Sequence, residues 1–231
     1  MRKGDMRRQA ILDVAERLFY GKGYEHTSVQ DVLDEMSISK GGFYHHFDSK
    51  LKLLEAICKQ RSEGGYEKCE HAVLACTGNA VDKLNILFEH GFFFGQDSMD
   101  FMGLMMRMIY RGGCVQLKYT LHREHIRLYL PLMTRIVHQG IAEKLFYNPD
   151  PDAVARILLL MNNCMTDEVA EIISNAEQEN AVLPLLELVR AYRRSVELLL
   201  NAPYGSVQLL ELERAIALIR ENQMQAQRYD V

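Results

Sequence analysis

Between Ser39 and Lys50 the chain reads Ser-Lys-Gly-Gly-Phe-Tyr-His-His-Phe-Asp-Ser-Lys. Two ammonium groups bracket a pair of glycines and three side chains that donate hydrogen bonds, Tyr44, His45 and His46. A glycine in a helix interior costs about 1 kcal/mol relative to alanine, so Gly41 and Gly42 need a reason. A backbone that must come close to another molecule supplies one. Lys40 and Lys50 then offer charge to phosphate oxygens, and Tyr44, His45 and His46 offer hydrogen bonds. Taken alone, the same string also fits a loop around a core histidine. The flanking elements decide between the two.

Upstream, Ala10, Ile11, Val14, Ala15, Leu18 and Phe19 form a helical stripe that ends at Gly21 and Gly23. Thr27 with Gln30, or Ser28 with Asp31, has the spacing of a helix-opening capping box. Val29, Val32, Leu33 and Met36 continue that second helix at i, i+3, i+4 and i+7. Ser39 can cap a third, in which Phe43 and Phe47 form an inward pair. Asp48 or Ser49 opens a fourth, with Leu51, Leu53, Leu54 and Ile57. Three short helices with a tight turn before the last make a helix-turn-helix unit. In such units the second helix of the motif lies in the DNA major groove. The division falls at 1–50 for this unit and 51–231 for the rest.

The run from Thr27 to Lys50 closely resembles the DNA-binding domain of TetR/AcrR-type bacterial transcriptional regulators. Ser-Lys-Gly-x-[Leu/Phe]-Tyr-x-His-Phe-x-x-Lys matches at its fixed positions, as do the preceding Phe19, Gly23-Tyr24 and Thr27. The resemblance covers roughly the first sixty residues. It implies a homodimer, joined through C-terminal helices, that binds double-stranded operator DNA and releases it when a small apolar or amphipathic effector enters the larger domain. By position it implies DNA contacts from Ser39, Lys40, Gly41, Gly42, Tyr44, His45, His46 and Lys50, assisted by Thr27, Ser28 and Gln30. Three departures stand out. The turn reads Met36-Ser37-Ile38 where relatives have Ala-Gly-Val, Leu33 replaces a small residue, and Gly42 lacks the side chain with which many relatives read bases.

Beyond Arg61 every segment reads as helix, so the fold class is all-α: an N-terminal helix-turn-helix domain and a linking helix leading to a larger helical domain. Gly64-Gly65 and Gly78 predict a bend and a break. Helices are expected over 80–94, 99–110, 114–146 (kinked or split by Pro131), 153–173, 183–200 and 207–220, with a loop at Asn148-Pro149-Asp150-Pro151. In 231 residues the formal net charge is −4, so no global basic field announces a nucleic-acid partner. Within the first fifty residues eight basic side chains meet eight acidic ones, with Arg2, Lys3, Arg7 and Arg8 crowded at the start. Five cysteines without a C-x-x-C pair argue for reduced thiols, and no apolar run approaches the ~18 residues of a membrane span. A soluble, cytoplasmic protein is expected.

Nothing in the pattern supports catalysis, a cofactor or a resident metal. His122-Arg-Glu-His125 places two histidines at i, i+3 without a third ligand, which favours a solvated helix face with Arg123 and Arg127 over a metal site. A soft region rich in Met and Phe suggests the effector pocket, with His90, Phe93, Phe94, Met102, Met105, Met106 and Tyr110 as lining. Leu158 to Met161 cover most of a helical turn, so part of that surface faces another chain. The alternatives are a metal-dependent sensor built on His122, Glu124 and His125, and a helical protein-interaction module without operator binding.

Overall fold

The computed structural model describes residues 3–91, 115–175, 182–209 and 217. Every element in the described residues is a helix: α1 (Lys3–Lys22), α2 (Val29–Met36), α3 (Lys40–Tyr44), α4 (Lys50–Ala75), α5 (Ala80–Gly91), α6 (Val115–Ala142), α7 (Pro151–Asn175) and α8 (Val182–Leu200). None of the described helices is long and apolar enough to cross a membrane.

Two apolar cores form. The smaller gathers Ile11, Leu12, Ala15 and Phe19 of α1, Val32 and Leu33 of α2, and Phe43 and Phe47 around α3. Leu53, Leu54, Ile57 and Cys58 of α4 complete it, together with Leu117 from the first turn of α6. Thus the first turns of α4, beyond residue 50, pack with the N-terminal unit. The larger core joins Cys69 and Val73 of α4 to α5, the second half of α6, α7 and α8.

α4 is one continuous helix through Gly64-Gly65, where an added Cβ would meet nothing within 4 Å. Its 26 residues make a rod roughly 39 Å long. The chain breaks at Cys76–Asn79, around Gly78 as expected. The Asn79 side chain accepts from the amides of Val81 (2.9 Å) and Asp82 (3.1 Å) to open α5. α6 likewise continues through Pro131 as one helix. At its end Gly140 is required, because any Cβ would collide with the Phe146 ring. The expected segment 99–110 lies outside the described residues, as do Phe93, Phe94, Met102, Met105, Met106 and Tyr110; of the helix expected over 207–220, residues 207–209 are not helical and the rest, apart from 217, lies outside the described residues. His90 does not line the core: it is exposed on the last turn of α5, beside Glu89.

The His122–His125 segment also differs from the solvated face expected. Arg123 is exposed, but both histidines turn toward α7. His122 Nε2 lies 3.2 Å from Asp167 Oδ1, and Lys118 meets Oδ2 of the same carboxylate at 2.8 Å. His125 Nδ1 lies 2.8 Å from Asn163 Oδ1 and its ring packs 4.8 Å from Tyr129. Each histidine has its own partner, and among the described residues no three His, Cys, Asp or Glu side chains converge as metal ligands.

Burial pushes the His125 pKa down to about 4; the Asn163 hydrogen bond opposes that shift without cancelling it. Burial also lowers His122, opposed by Asp167. The unfolded chain therefore binds more protons than the folded one below pH 6.5. Stability from the neutral His125 is fully present above pH 6.5 and declines as pH falls toward 4, by up to about 3 kcal/mol. Urea denaturation of wild type and His125→Gln at pH 7.0, 5.5 and 4.5 (about those values) should give a shallower acid decline in the variant.

Candidate nucleic-acid interface

The helix-turn-helix geometry begins with capping. Ser28 Oγ accepts from the Asp31 amide at 3.1 Å, and Asp31 Oδ2 accepts from the Ser28 amide at 2.7 Å. Of the two spacings the sequence allowed, Ser28 with Asp31 is the one used. Lys22 meets the same carboxylate at 2.8 Å and, with Ser28, holds it well below the usual carboxylate range. Gln30 is exposed and donates to Asp34 Oδ1 at 2.7 Å.

Thr27 is a correction. Its side chain is 1 % exposed, and its hydroxyl donates to Gly23 O (2.7 Å) with Leu18 O at 3.3 Å. It pins the loop between α1 and α2 and cannot reach a DNA surface.

α2 ends in a Schellman arrangement. Ser37 adopts φ 51°, ψ 46°; its amide donates to Asp34 O (3.2 Å), and the Ile38 amide to Leu33 O (3.0 Å). Leu33 and Ile38 share the smaller core, closing the motif with an apolar contact. Ser39 then caps α3, its Oγ accepting from the Gly42 amide at 3.2 Å.

Phe43 and Phe47 point inward, 0 % and 4 % exposed, with ring centroids 6.0 Å apart. That anchoring turns the other face outward. Lys40, Gly41, Tyr44 and His45 are exposed, and Gly42 and His46 half-buried. Neither glycine is explained by packing: an added Cβ would meet only Ser39 Oγ, at 4.0 Å from Gly41 and 3.5 Å from Gly42. Neither has a positive φ. The space in front of them is open.

Lys50 stands at the first turn of α4, which Ser49 caps by accepting from the Lys52 amide (3.1 Å). The Lys50 ammonium donates to Tyr24 O at 2.9 Å and sits 4.0 Å over the Tyr24 ring. Of its three donors, one is therefore committed to the loop after α1. Tyr24 was not singled out in the sequence as anything beyond a motif position; a tyrosine 26 residues upstream gives no local signal of that contact.

With this geometry in hand, likeness to known proteins is informative. Residues 11–57 match the model of "Bacterial regulatory proteins, tetR family". An HTH-type transcriptional regulator encoded in the lacX 3′ region of Lactococcus lactis subsp. lactis is 46% identical over 50 residues, 22% of this chain and 26% of that protein. The HTH-type transcriptional repressor KstR2 of Rhodococcus jostii is 42% identical over 53 residues, 23% of this chain and 26% of its own. The chain thus spans about a quarter of the length of these curated relatives. Solved structures extend the likeness to the fold. A TetR transcription regulator from Haloarcula marismortui superposes with TM-score 0.59 and 19% identity over 85% of this chain and 97% of that one. FadR from Bacillus subtilis, solved in complex with stearoyl-CoA, gives 0.56 and 19% over 85% and 99%. The N-terminal unit of this chain thus matches the tetR family of bacterial regulatory proteins over residues 11–57, and the chain shares the fold of solved TetR regulators.

The left-handed Ser37 makes the altered turn testable. A side chain in that region costs roughly 1–2 kcal/mol, partly offset in a Gly variant by greater unfolded-chain freedom. Ser37→Gly should stabilise the protein by about 0.5–1 kcal/mol in urea denaturation, with an unchanged m-value.

Proposed function

We propose that the protein is a ligand-responsive transcriptional regulator that binds operator DNA as a homodimer, acting as a repressor released by a small apolar or amphipathic effector. The observation that carries this reading is the outward face of α3. Two glycines with open space before them stand beside Lys40, Tyr44 and His45, on a helix anchored from behind by Phe43 and Phe47. Clearance in front and donors around it suit entry into a major groove with phosphate contacts at the rim. In this reading Ser39, Lys40, Gly41, Gly42, Tyr44, His45, His46 and Lys50 meet DNA. Ser28 and Gln30 support the approach from α2. The unit divides functionally from the rest near residue 50, although its core continues into α4.

Dimerisation is inferred from α7 and α8. Leu158 and Leu159 are buried in their own core, whereas Ile157 and Leu160 are 43% and 47% exposed and Cys164 continues their stripe one turn on. Leu198 on α8 is 62% exposed. A four-helix contact between two copies would cover these faces. The effector assignment rests on the family and on FadR's solved complex with stearoyl-CoA; its chemistry here is taken only as far as apolar or amphipathic.

A gel-shift titration against the gene's own upstream DNA, at several salt concentrations, tests the reading; no sequence-selective complex at any salt would overturn it. Gly41→Val supplies the residue-level test. It should lower operator affinity at least about tenfold while leaving the melting temperature nearly unchanged, because a Cβ there meets only Ser39 Oγ, at an unstrained 4.0 Å. An unfolded variant would mean that Gly41 serves packing.

A further inference from the structure

Charge in the N-terminal unit is balanced in number but sorted by pairing. Five cations are tied to carboxylates: Arg17 to Glu35 (2.8 Å), Lys22 to Asp31 (2.8 Å), Lys52 to Glu55 (2.6 Å), Lys59 to Glu63 (3.9 Å) and Arg61 to Glu16 (2.5 Å). Among the described residues, Arg7, Arg8, Lys40 and Lys50 have no carboxylate within ion-pair distance. Two of these four are instead held against aromatic rings. Lys50 lies over Tyr24, and Arg8 Cζ lies 5.0 Å from the centroid of the Phe47 ring. Phe47 follows α3 directly and precedes Lys50 by three residues. Arg8 is thereby carried from α1 to the end of the unit where α3 passes into α4.

We propose that Arg8 is a DNA-backbone contact, a guanidinium on α1 aimed by its contact with the Phe47 ring at a phosphate beside the one that Lys50 meets. The inference rests on the operator-binding reading above. A guanidinium carries five N–H donors, and contact of its carbon with one ring leaves donors for a second partner. Those donors are what a phosphate takes in a two-pronged contact. An exposed arginine held by a nearly buried ring also loses less freedom on binding than one waving in solvent. The competing account is that Arg8 merely covers Phe47 with its aliphatic stem, and methionine at that position would preserve such cover without charge.

The test uses the full chain, its upstream DNA and an unrelated duplex of equal length, with affinities measured between about 50 and 200 mM salt. Arg8→Met should reduce the slope of log affinity against log salt by about 0.9 for each helix-turn-helix unit bound. It should weaken both duplexes by the same factor, with an unchanged melting temperature. Arg8→Lys, which keeps the charge, should retain the wild-type slope, as should Arg17→Gln, whose cation is already paired with Glu35. A wild-type slope in Arg8→Met would overturn the proposal and leave operator binding standing. Absence of any wild-type complex would remove operator binding and this contact together.

Discussion

The N-terminal unit cannot close its own core. Ile11, Phe19, Leu33, Phe43 and Phe47 form one side of that core, and it is completed by Leu53, Leu54 and Ile57 of α4 and by Leu117 of α6. Everything else in the arrangement follows from that shared burial. Because α4 and α6 also supply Cys69, Val73, Tyr129 and Met133 to the larger core, neither core can be repacked without consequences for the other. Ion pairs between the same two helices, Arg127 with Glu63 and Arg135 with Glu70, lie at the surface and contribute little beside the apolar contacts.

Within the unit, buried aromatic residues orient exposed polar ones. Phe43 and Phe47 fix the rotation of a five-residue helix that has too few hydrogen bonds to be stable alone. Rotation about that axis decides which side chains face outward, so the two buried rings set the positions of Lys40, Gly41 and Tyr44. Thr27 has a comparable part on the other side. Its buried hydroxyl ties the loop after α1 to the end of that helix, and the same loop presents the carbonyl and ring of Tyr24 to Lys50.

Local patterns in the sequence carried much of this. The capping serines, the inward Phe43 and Phe47 pair and the left-handed demand on Ser37 are all short-range consequences of residue type and spacing. Contacts between distant segments were not legible. Nothing near Leu117 signals that it belongs with residues 11–58 and not with its own helix's core, and nothing near Arg8 points to Phe47. Thr27 misled because threonine in a capping position and threonine buried under a loop look alike in one dimension. The histidines at 122 and 125 misled for a related reason: i, i+3 spacing shows that two side chains share a face, not which neighbour that face meets.

The unbroken α4 has a mechanical consequence. A rod roughly 39 Å long converts rotation into translation at its tip. Pivoting at its Ala75 end by about 5° carries the Lys50 end through about 3 Å, close to the rise of one base pair. Continuity therefore sets the gain of this element: a break at Gly64-Gly65 would absorb such a tilt, whereas the continuous helix carries it to the far end.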